Sequence, residues 1–65
     1  MKVGSLIRLK IARAWHMAIV TVIKDNSAQL WWLDGAPKQP KPYDWFKLES
    51  LKNYQKDKTL EVIYV

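Results

Sequence analysis

The sequence predicts an all-β domain, a small five-stranded barrel with a long proline-containing loop. Three observations lead there. Short runs rich in β-branched and aromatic residues recur along the 65 residues, separated by polar or glycine-containing turns. Prolines 37, 40 and 42 fall within six positions and exclude both helix and central strand. A chain made of strands this short hides its sheet edges best by closure.

Val3-Gly4-Ser5 opens with a turn residue, after which Ile7, Leu9 and Ile11 alternate with Arg8, Lys10 and Ala12. That period of two marks a half-buried strand. Ile7, Ile11, Ala14, Trp15, Ala18 and Val22 also fit helical spacing with Ser5 as N-cap, so a helix over about Leu6 to Met17 is the rival reading. The β-branched run Ala18–Ile23 favours strands and supplies the second one. Arg13-Ala14-Trp15-His16 then falls at the tip of the first loop. Lys24-Asp25-Asn26-Ser27 is a polar turn into a third strand, Ala28–Leu33, which Asp34-Gly35 ends. Successive strand residues face opposite sides, so adjacent Trp31 and Trp32 cannot both be core: Trp32 is expected inside and Trp31 outside. Beyond the proline loop, Tyr43-Asp44-Trp45-Phe46 gathers three aromatics, and Leu48 and Leu51 suit a short helical turn or a fourth strand. Asn53–Lys58 reads as a polar turn and Thr59–Val65 as the clearest strand of all.

Residues and motifs along this order resemble Src-homology-3-like (SH3-like) small barrels. Val3-Gly4-Ser5-Leu6-Ile7-Arg8 resembles their V-G-D-L-V-R opening, and Ala18–Ile23 their G-I-V-T-x-I second strand. Trp32-Leu33-Asp34-Gly35 resembles their W-x-D-G segment, and Trp45 with Leu48-Glu49 the later W…L-E. The resemblance covers about residues 2 to 51. It extends to the KOW and Tudor barrels and to small proteins common among bacteriophage products, cyanophages in particular. Ala18 stands where the KOW pattern has glycine, and the residues after Leu51 exceed the usual pattern. Fold similarity of this kind implies a binding module whose loops set the ligand.

Composition narrows the function classes. There is no cysteine and one histidine, so neither a thiolate nor a multi-histidine metal site can be assembled, and no cofactor is expected. Two glycines are too few for a phosphate-binding loop, the serines sit in no nucleophile-elbow context, and the carboxylates are scattered. An enzyme is not expected. No apolar run reaches the roughly 18 residues of a membrane span, and no signal-peptide hydrophobic region follows Lys2, which predicts a cytoplasmic protein.

A formal charge of +5, nine of its eleven cations being lysines, permits nucleic-acid binding without requiring it. The candidate contact residues are Arg13 and Trp15 in the first loop, Trp31 on the third strand, and Lys38, Lys41, Tyr43, Trp45 and Lys47 on and after the proline loop. Aromatics interleaved with cations stack on bases while attracting phosphates. Each has a plainer reading: Trp15 as a lid over an open barrel end, Trp45 with Phe46 as core, the lysines as solubilising charge. Two partner classes stay open. One is nucleic acid. The other is a protein partner, met through the Trp31 face or by adding the strand Thr59–Val65 to a partner sheet, with a homo-oligomer as a variant.

Overall fold

The computed structural model describes residues 1–33 and 41–64. Strands β1 (Leu6–Ile11), β2 (Ala14–Lys24), β3 (Ser27–Trp32) and β4 (Tyr43–Lys47) precede a nine-residue helix α1 (Leu48–Lys56) and strand β5 (Leu60–Tyr64). They form one antiparallel sheet in the order β4-β3-β2-β1-β5. The all-β reading therefore holds, and the rival helix over Leu6 to Met17 is replaced by two strands.

Alternation sorts the side chains. Ile7 and Leu9 of β1, Ala18 and Val20 of β2, Ala28, Leu30 and Trp32 of β3, and Leu60 of β5 are buried on one side of the sheet. Helix α1 touches both β4 and β5, the two strands at the sheet margins, and its buried Leu51 enters the same core. Leu48 and Tyr54 lie three residues to either side of Leu51 and pack against that core, so the helix covers the space between the margins.

Three local details depart from the sequence reading. The first hairpin turns on Ala12 and Arg13, both at positive φ (49° and 68°), so Ala14, Trp15 and His16 belong to β2 rather than to a loop. Two left-handed residues match the right-handed twist of the flanking strands, a role asparagine and glycine usually take. Asp25 and Asn26 do the same between β2 and β3, where a turn is expected. Second, α1 runs to Lys56, absorbing most of the polar segment 53–58, because Leu48, Leu51 and Tyr54 supply a helical stripe while the intervening polar residues face water. The helix closes with the N–H of Lys58 on Gln55 C=O and that of Thr59 on Tyr54 C=O, with Lys58 at φ 61°. That is a glycine-type cap carrying a lysine. Third, Thr21 and Val22 together oppose Gln29, a β-bulge in β2.

Candidate binding face

The tryptophan pair separates as the pleat requires. Trp32 is 6% exposed, its ring edge-on to those of His16 and Phe46, whereas Trp31 is 38% exposed on the opposite surface. The indole N–H of Trp32 meets no acceptor among the described residues, so packing alone holds it.

Register brings the outer-face residues together. Tyr43, Trp31, Ile19, Leu6 and Tyr64 occupy successive strands in one row across the whole sheet. Trp45 lies opposite Gln29 in the next row, and Trp15 opposite Lys10 farther down. The rings of Trp31 and Tyr43 lie 5.4 Å apart at 34°. Lys41 Nζ sits 5.7 Å from the Tyr43 ring centroid. Arg8 stacks its guanidinium 4.5 Å over Trp15 while donating to Glu61 Oε2 from Nε (3.0 Å) and Nη2 (2.8 Å). Lys10 Nζ lies 6.0 Å from the same indole, an additional cation–π contact. Lys24 and Lys47 both align with Ser27 at the other end of the face.

The result is an aromatic sheet surface bracketed by cations. Trp15, Trp31 and Trp45 are 36%, 38% and 47% exposed. Glu61 is the acid that the register places on this face among the described residues, and Arg8 already engages it. Exposed apolar surface of this kind marks interaction sites, since a monomer gains nothing from presenting it to water.

Of the expected contact residues, Trp31, Tyr43, Trp45 and Lys47 converge on one face, with Lys41 beside Tyr43. Trp15 joins them from β2, beneath the Arg8 guanidinium. Trp45 is exposed and not core, whereas Phe46 packs against the core. Arg13 sits in the hairpin turn below the face. Lys38 and the Asp34-Gly35 turn lie outside the described residues. Sequence reasoning missed Arg8, Lys10 and Gln29. Arg8 and Lys10 follow from a register hidden because the first turn carries no glycine or asparagine, whereas Gln29 follows from alternation with Trp31 on β3.

Among the described residues no three metal-binding side chains cluster, and no helix is long and apolar enough to cross a membrane. Comparison with known protein families, curated proteins and solved structures found no match.

Proposed function

We propose that this protein is a non-enzymatic, SH3-like small-barrel module that binds single-stranded nucleic acid through the outer face of β2, β3 and β4. The meander β4-β3-β2-β1-β5, with α1 touching both marginal strands, is a strand order compatible with a small barrel and supports that part of the reading. The observation carrying the functional part is the coincidence of three half-exposed indoles with lysines on a face whose one described acid is already paired.

A single strand fits better than a duplex for a geometric reason. Tyr43 and Trp45 are two residues apart on one strand, a repeat of roughly 6.8 Å. Bases in a duplex rise only about 3.4 Å per step along each strand. Successive bases can meet successive rings only once they have left their own stack, and stacking on an aromatic side chain then contributes about 1–3 kcal/mol per base. The face is thus a platform for splayed bases, with lysines at its rim for the phosphates.

The test is a tryptophan-fluorescence titration with a 12-nucleotide single strand and with the matching duplex at low salt. The expected result is quenching and a blue shift with the single strand, and at least tenfold weaker binding of the duplex. An unchanged spectrum with both, together with concentration-dependent self-association or capture of a protein, would assign the face to a protein partner instead.

A further inference from the structure

One polar side chain stands within the aromatic face, and its orientation is fixed by chemistry. Gln29 Oε1 accepts from Trp31 Nε1–H (3.1 Å) and from the Thr21 hydroxyl (2.8 Å). The Thr21 oxygen also lies 3.3 Å from Gln29 C=O, so its shorter contact is to the amide oxygen. An indole nitrogen can only donate, so the atom facing it must be the amide oxygen and not the nitrogen. Two donors occupy both lone pairs of Oε1. The planar amide then turns Nε2 away from both, where no acceptor meets it among the described residues, with Trp45 as the cross-strand neighbour.

The contact sits at the β-bulge of β2. Thr21 follows Ile19 on the outer face and Gln29 precedes Trp31 there, and at the bulge Thr21 and Val22 face Gln29 together, so the Thr21 hydroxyl meets the amide. A free glutamine reads adenine by offering one donor and one acceptor at once. Gln29 is denied that mode, because its acceptor is already used. It can only donate.

We infer that Gln29 determines base preference, its fixed amide donating to O6 of guanine or O4 of thymine or uracil and disfavouring the amino group that adenine and cytosine carry at the same positions. The inference rests on the single-strand reading of the face. A base stacked on Trp31 or Trp45 brings its edge within reach of the amide between them. A keto oxygen there accepts from an Nε2–H that meets no acceptor among the described residues, whereas an amino group presents donor to donor.

The experiment compares (GT)6 with (AC)6 single-stranded DNA, which match in length and purine content and differ in keto against amino groups at purine position 6 and pyrimidine position 4. Wild-type protein should favour (GT)6 by roughly three- to tenfold, the range one hydrogen bond supports. Gln29→Met should bind both strands equally, removing the preference. Gln29→Glu keeps the acceptor that holds Trp31 but replaces the donor with a second acceptor, so it should favour (AC)6 while binding both more weakly. Circular dichroism of each variant verifies folding. Equal wild-type binding of the two strands, or a preference that survives in Gln29→Met, overturns this inference and leaves the single-strand reading standing. Failure to bind either strand overturns both.

Discussion

The salt dependence of single-strand binding can be worked out from the positions of the lysines. Lys10, Lys24, Lys41 and Lys47 border the aromatic face, and none is in an ion pair among the described residues, whereas Arg8 is committed to Glu61. Each phosphate neutralised releases condensed counterions, giving a slope of about −0.7 per contact in log K against log[salt] for single strands. Four contacts give a slope near −2.8, so affinity should fall roughly 50-fold between about 50 and 200 mM salt. Fluorescence titrations of a 12-nucleotide strand at four salt concentrations read the slope directly. Lys10→Gln and Lys47→Gln should each flatten it by about 0.7. Lys58, in the cap of α1, lies off this face, and Lys58→Gly should leave the slope unchanged. A wild-type slope shallower than about −1, or equal flattening by Lys58→Gly and Lys10→Gln, would refute the assignment of the phosphate path to this face.

The remaining predictions separate binding from folding. Trp45→Ala should cost roughly 5- to 150-fold in single-strand affinity, one stacked base, yet retain a cooperative thermal transition. Trp32→Ala should remove about 3–5 kcal/mol and abolish that transition, since its ring fills the core. Lys47 occupies the N-cap of α1 without capping it. Lys47→Asp supplies the missing acceptor and a charge suited to the helix start, so urea unfolding should show about 1 kcal/mol of added stability while binding at low salt weakens about tenfold or more. Lys58→Gly relieves a left-handed residue and should stabilise the fold by about 1 kcal/mol, raising the melting temperature by roughly 4–8 °C.

Much of the sheet was legible because alternation is a local property. Ile7, Leu9 and Leu30 announce their burial by period alone, the β-branched run of β2 identifies itself, and Asp25-Asn26 suits the turn it makes. The split between Trp31 and Trp32 needs nothing beyond the pleat. What stayed hidden depends on register or on the wrong residue in a right place. Ala12 and Arg13 form a tight turn against their own preference, which displaced the start of β2 and with it Trp15. The polar segment of α1 looks like a turn because most of that helix faces water and only Leu48, Leu51 and Tyr54 carry its stripe. The bond between Thr21 and Gln29 depends on the pairing register of β2 with β3, which strand propensities do not encode. Rule-breaking residues concentrate where function is expected. Lys47, a cation at the start of a helix, is one of them.

The order of the strands also governs how the molecule is made. Three of the four pairings join consecutive strands and can zip locally, whereas β1 and β5 must find each other after everything between them has been placed. Closing so long a loop is slow compared with forming a hairpin. Until it happens, one margin of β1 is bare and the floor beneath Leu9 lacks Leu60, its cross-strand neighbour. A newly made chain is therefore most adhesive during that wait, and crowding at high expression, more than heat, is the hazard its topology sets.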